Sequence, residues 1–138
     1  MKYKGCTSYL VEDRDEDLLR AYNRIMRHNR SSLITDVYKL MKDIPASRFW
    51  VTGERAYESL VKRRRGYRIR GIKSEMYDEI ERRAQAYMKE NHVTFRKACK
   101  AVVLQPAPSF YLESFTIRKI ISEAIKRRRK LANKMKNG

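Results

Sequence analysis

The chain is short of the residues on which most enzymatic chemistry is built. Its only histidines are His28 and His92, and its only cysteines Cys6 and Cys99, in 138 residues. Two cysteines so far apart make neither a ligand-spaced metal site nor a disulfide framework, and a reducing, intracellular setting fits them. Both histidines stand beside an asparagine where a helix is expected to end, a place for a polar residue whatever the function. Cys99 falls on the apolar side of a helical pattern, as a small core residue does. The five glycines are scattered, which excludes a glycine loop cradling phosphate. A nuclease built on Glu54, Glu58 and a metal ion would need a nucleophile, a base and an orienting group together, and no such set is evident. The chain reads as a non-enzyme, without cofactor or metal. No apolar run reaches the length of a membrane span, and Met1-Lys2-Tyr3-Lys4-Gly5-Cys6 lacks the apolar core of a signal peptide.

What the chain has in excess is positive charge. Lysine and arginine number 33 against 16 acids, a formal net charge of +17. That is far more than solubility requires and predicts attraction to a polyanion, with nucleic acid foremost. The imbalance is uneven: Glu12, Asp13, Asp15, Glu16 and Asp17 face only Lys2, Lys4 and Arg14 in residues 1–17, leaving 30 basic and 11 acidic residues elsewhere. The acidic run reads as the start of a helix, where acids complement the macrodipole. As consecutive acids on a helix diverge, it does not read as a metal site.

The three prolines mark a stretch written twice, Pro45-Ala46-Ser47-Arg48-Phe49-Trp50-Val51 and Pro106-Ala107-Pro108-Ser109-Phe110-Tyr111-Leu112. The step is 61 residues for both Pro45 to Pro106 and Phe49 to Phe110. Flanking apolar positions follow it, Leu19 on Ile80, Ile34 on Phe95, Val37 on Ala98, Ala56 on Ile117 and Leu60 on Ile121. After an insertion of three, both copies end in the same basic run, Lys62-Arg63-Arg64-Arg65 and Lys126-Arg127-Arg128-Arg129. A fixed period of this kind is the signature of a duplicated unit.

Within each copy the apolar spacing is helical. Leu18, Leu19, Tyr22, Ile25 and Met26 make one stripe. Asn29 to Ser32 break it and cap a second helix bearing Leu33, Ile34, Val37, Leu40 and Met41, which ends near Pro45. An apolar connector follows, then a third helix capped by Thr52, with Ala56, Tyr57, Leu60 and Val61 inward. The second copy repeats the plan: a first helix from Ser74 with Met76, Tyr77, Ile80, Ala84, Tyr87 and Met88, a second capped by Thr94, and a third from Ser114 or Thr116. The expectation is an all-α protein of two similar three-helix, helix-turn-helix-like units in tandem. Residues 1–17 form an arm, with at most a short strand over 3–11; 18–65 and 74–130 are the units, 66–73 a basic linker and 131–138 a basic tail that frays without a partner. Phe49, Trp50, Phe110 and Tyr111, which follow a proline turn among aliphatics, are expected to plug the cores rather than stack on bases.

In a helix-turn-helix plan the third helix enters the major groove with its first residues toward the base edges. Those residues are Thr52 and Arg55, with Arg48 just ahead of them, and Ser114, Thr116, Arg118 and Lys119 in the second copy. The connector from Asp43 to Thr52 is longer than the three or four residues of such a turn, which weakens the match. Arg63, Arg64 and Arg65, and Arg127, Arg128 and Arg129, exceed what a helix C-terminal dipole needs, and their mutual repulsion favours phosphate partners. Arg68, Arg70 and Lys73 in the linker complete a basic strip.

The words Ser47-Arg48-Phe49-Trp50-Val51-Thr52-Gly53-Glu54-Arg55-Ala56 and Gln105-Pro106-Ala107-Pro108-Ser109-Phe110-Tyr111-Leu112 resemble a set of small basic, internally duplicated helical proteins of bacteria, their phages and other mobile elements. The similarity runs from about Leu18 to Arg129. It implies a bacterial or phage origin and brings no activity or binding residue with it. The expected function is binding of double-stranded DNA, mainly through phosphates, as a regulator or accessory factor of a mobile element. The setting is the bacterial cytoplasm, nucleoid-associated, or the inside of a virion. A ribonucleoprotein subunit binding RNA, and a packaged structural or interaction protein, stay open as alternatives, as does a protein partner or a second copy of the chain.

Overall fold

A computed structural model describes residues 8–28 and 34–137, and the cap expected at Asn29 to Ser32 lies outside them. Six α-helices are present: α1 Ser8–His28, α2 Ile34–Leu40 (followed by a 3-10 turn, Met41–Asp43), α3 Gly53–Arg64, α4 Ile72–Asn91, α5 Phe95–Val102 and α6 Ser114–Asn137. The described residues contain no β-strand. Three boundaries differ from expectation. Residues 8–17 belong to α1 rather than to an arm, because Leu10 continues the buried stripe of Leu18 and Ala21 at helical spacing. The helix expected from Ser74 begins at Ile72. The basic tail continues α6 as far as Asn137.

The apolar stripes bury as their spacing requires. Leu18, Val37, Met41, Phe49, Leu60, Ile80, Val102, Ile117 and Ile121 are fully enclosed in one continuous core. Tyr22, Ile25, Met26, Tyr57 and Val61 are half-buried at the edges of their stripes, and Leu40 is half exposed; Leu33 lies outside the described residues. Cys99 lies in the same core, and its burial pushes the thiol up to about 11.

Which helix lies against which is the unexpected feature. The sequence predicts that each half closes on its own third helix; instead the third helices are exchanged. Helix α3 packs against α5 and α4, whereas α6 packs against α1 and α2. The connectors make this crossing. Residues 44–52, when extended, reach roughly 30 Å, enough to carry a helix across the molecule instead of turning it back. Where the connectors meet, Ala46 N–H donates to Ala107 O (2.9 Å) and Ala107 N–H donates to Ala46 O (3.0 Å). These residues are one repeat step apart.

Each connector also ties itself to the far side. Phe49 N–H donates to Val103 O at 3.0 Å, and Ser109 Oγ donates to Lys42 O at 2.9 Å. Phe49 stacks on Tyr111 with centroids 6.2 Å apart, and Arg83 lies over the Phe49 ring while its Nη1 donates to Pro106 O at 2.8 Å. Each hydrogen bond is worth only about 0.5–1.5 kcal/mol net, whereas burial of a side chain the size of Phe49 or Phe110 contributes about 1.5–3 kcal/mol. The crossing is therefore held mainly by its aromatics: Phe49, Phe110 and Tyr111 are buried as expected, but in one shared core, and Trp50 is only half-buried. Tyr111 takes a left-handed backbone, φ 54°, a strained state for a bulky residue, steadied where its N–H donates to Ser109 Oγ at 2.9 Å.

One carboxylate fastens the first connector. Asp17, 9% exposed, accepts on a single oxygen from Ser47 N–H (2.9 Å), Ser47 Oγ (2.7 Å) and Trp50 Nε1 (3.1 Å). Replacing Asp17 with Ala strands these donors and is expected to cost roughly 2–3 kcal/mol, read as a lower midpoint in chemical denaturation. A change below about 0.5 kcal/mol, the range of ordinary surface substitutions, would show that the connector is held without it.

Candidate nucleic-acid interface

The residues expected to read bases fall into different structural roles. Arg48 is bound to its own connector: Nε donates to Phe49 O at 3.0 Å, Nη2 to Val51 O at 2.9 Å, and the guanidinium lies over Trp50. Its donors satisfy carbonyls of the irregular connector. Thr52 is the N-cap of α3, its hydroxyl accepting from Arg55 N–H at 3.1 Å. Arg55 is half-buried. Ser114 and Thr116 open α6, with Arg118 and Lys119 exposed on it.

The start of α3 lies against α5. Gly53 lies so close to α5 that a Cβ on it would come within 2.7 Å of Lys100 Cα. Beside it, Glu54 receives Arg96 in a fork, Nε at 2.9 Å and Nη2 at 2.8 Å, with Lys100 Nζ at 3.4 Å. Arg96 also lies over Tyr57, its neighbour on α3. The hydrogen bonds from Arg96 hold the Glu54 carboxyl far below its ordinary value, at about 2. Glu54 therefore serves a clamp between α3 and α5, with both cations already on it.

The arginine runs divide in the same way at the ends of α3 and α6. Arg63 pairs with Asp78 of α4; Arg64 reaches Glu81 of α4 at 3.3 Å and lies over Phe95, 4.0 Å from its centroid. Arg127 reaches Asp15 of α1 at 3.6 Å and Arg128 reaches Glu16 at 3.0 Å. Exposed pairs like these are worth at most about 1 kcal/mol each, so they orient the third helices on the exchanged partners rather than hold them there. The acidic run of α1 thus faces the end of α6, a use that its place within one helix does not suggest. The third arginine of each run, Arg65 and Arg129, has no carboxylate within ion-pair distance among the described residues.

The linker adds Arg68 and Arg70, both exposed, on either side of Ile69, which packs on the core. Arg63, Arg68, Arg70 and Ser74 line a shallow recess between the end of α3 and the start of α4, where Gly66 turns the chain at φ 101°. Lys73 lies in the first turn of α4. Lys130, Lys134 and Lys136 stand exposed along the last turns of α6, beside Leu131 and Met135.

The described residues hold no group of three His, Cys, Asp or Glu able to bind a metal ion, and no helix among them is long and apolar enough to cross a membrane. No family model, curated protein or solved structure matches the chain.

The Glu54 clamp has a pH signature. A carboxyl whose folded value is depressed contributes stability in full above its ordinary 4.5 and loses it as pH falls toward about 2. A carboxyl-detected NMR titration should find Glu54 still ionised near pH 3.5, where an unpaired glutamate is mostly protonated. A midpoint close to 4.5 would mean that Arg96 and Lys100 do not hold it.

Proposed function

We propose that the chain binds nucleic acid, double-stranded DNA above all, through the phosphate backbone, and that it is a duplicated helical protein whose two similar three-helix halves are interlocked by exchange of their third helices. The observation that carries this reading is the set of cations left over once the internal pairs are made. Among them, Arg65, Arg68 and Arg70 at one helix junction, Arg129, Lys130, Lys134 and Lys136 along the end of α6, and Arg118 and Lys119 near its start are exposed and have no carboxylate partner among the described residues. Like charges at helical spacing repel, and a polyanion that releases its counterions relieves the repulsion.

Duplex is favoured over single strands because Phe49, Phe110 and Tyr111 are buried, whereas single-strand binders present aromatics as stacking platforms. Exposed Tyr67 and Phe115 stand on different elements. The described residues also lack the sheet on which a common RNA module stacks its bases. A ribonucleoprotein subunit or a packaged virion component would use the same cations, and competition between duplex, single strand and structured RNA at fixed salt separates the three. We read the protein as a non-enzyme: Cys99 is buried and Glu54 is engaged by two cations. A bacterial or phage setting, with a role as regulator or accessory factor of a mobile element, completes the proposal.

Replacing Arg65, Arg68 and Arg70 together with Ala should weaken binding to all duplex sequences alike. Each phosphate that a side chain no longer neutralises flattens the slope of log affinity against log salt by about 0.9, so the slope of the triple variant should fall by between about two and three units. An unchanged slope would mean that these arginines are solvated, and it would remove the main support for the reading.

A further inference from the structure

We infer that α5, rather than α3 or α6, is the helix that this protein lays into the major groove of duplex DNA; the inference rests on the nucleic-acid reading above. A groove-entering helix needs a short turn before it, a buried face that fixes it and an outward face with complementary charge. Only the α4–α5 pair meets all three among the described residues. Helix α4 ends at Asn91, His92 takes the left-handed conformation at φ 52° and donates its N–H to Met88 O at 2.9 Å, and Thr94 caps α5 by accepting from Lys97 N–H at 3.3 Å. Three residues, His92, Val93 and Thr94, make the whole turn. By contrast, the long connectors that precede α3 and α6 cross the molecule.

The inward face of α5 is closed: Ala98, Cys99 and Val102 are fully buried against α3 and α4. Its outward face is Arg96, Lys97 and Lys100, all exposed, and the helix contains no acid. Arg96 and Lys100 are steadied along one edge by Glu54, while Lys97 has no carboxylate within ion-pair distance among the described residues. A short basic helix braced on two sides, with its charge held outward, complements a groove walled by phosphates.

The duplication sharpens the assignment. One repeat step before Arg96, Lys97 and Lys100 the chain has Thr35, Asp36 and Lys39. Helix α2 therefore lacks the basic face, and the protein has one reading head, with the remaining cations as backbone contacts.

The test uses the intact protein and a mixed-sequence labelled duplex of about three helical turns, with thermal melting of each variant. Lys97→Glu should weaken binding about tenfold, as removal of a base or phosphate partner does, without lowering the melting temperature. Lys97→Arg should bind like the parent, and Arg55→Glu, at the covered start of α3, should change affinity less than about threefold. Glu54→Gln removes the carboxylate bonded to Arg96 and Lys100 and should tighten binding, a direction that a damaged fold would not produce. Parent-like binding by Lys97→Glu together with a large decrease for Arg55→Glu would overturn the assignment to α5 and leave the DNA reading standing. No duplex binding by the parent protein, at low salt as well, would overturn both.

Discussion

Two extended connectors crossing at Ala46 and Ala107 are the constraint on which the rest of the structure depends. Because each connector runs over to the far half, α3 closes against α4 and α5 and α6 closes against α1 and α2. The aromatics that follow the prolines then lie at the centre of the molecule, Phe49 against Tyr111, instead of plugging two separate bundles. Asp17, the Ser109 bond to Lys42 and the Arg83 bond to Pro106 all fasten this crossing. Neither half has a complete core alone, which suits a unit of some sixty residues, a size at which an independent core is marginal.

The exchange also accounts for much of the charge. Asp15 and Glu16 on α1 face Arg127 and Arg128 on α6, while Asp78 and Glu81 on α4 face Arg63 and Arg64 on α3. A first helix with an acidic side thus receives a third helix with a basic end, twice, and each time across the exchange. Many cations remain exposed after these pairs, without a carboxylate within ion-pair distance among the described residues. They include groups at the α3–α4 junction, at the end of α6 and on the outward face of α5, together with Arg118 and Lys119 near the start of α6.

The sequence shows which faces are buried far better than it shows what they are buried against. Val37, Met41, Ala56, Leu60, Ile117 and Ile121 follow from spacing alone, and Thr52 and Thr94 cap helices as their positions predict. The partner of α3 is not legible because the first two helices of either half carry similar apolar stripes, so closing on its own half or on the other satisfies the same pattern. Arg48 resembles an interface residue in the sequence because nothing linear shows that the carbonyls of Phe49 and Val51 lie within its reach. The arginine runs look unpaired there because Glu16 stands 112 residues from Arg128. Helix α5 escapes a linear reading for a related reason. A three-residue turn is visible at His92 to Thr94, but the repeated proline stretch marks the third helices more strongly.

The interlocking is tested most directly by cutting the protein where its halves join. A protease limited to the exposed linker, at Arg68 or Arg70, separates α1 to α3 from α4 to α6 covalently. If the third helices are exchanged, the nicked protein keeps the mass of the whole chain in solution and melts in one transition, coming apart only in denaturant. Two pieces that separate under native conditions, each folded and melting independently, would contradict the exchange and restore two bundles in tandem.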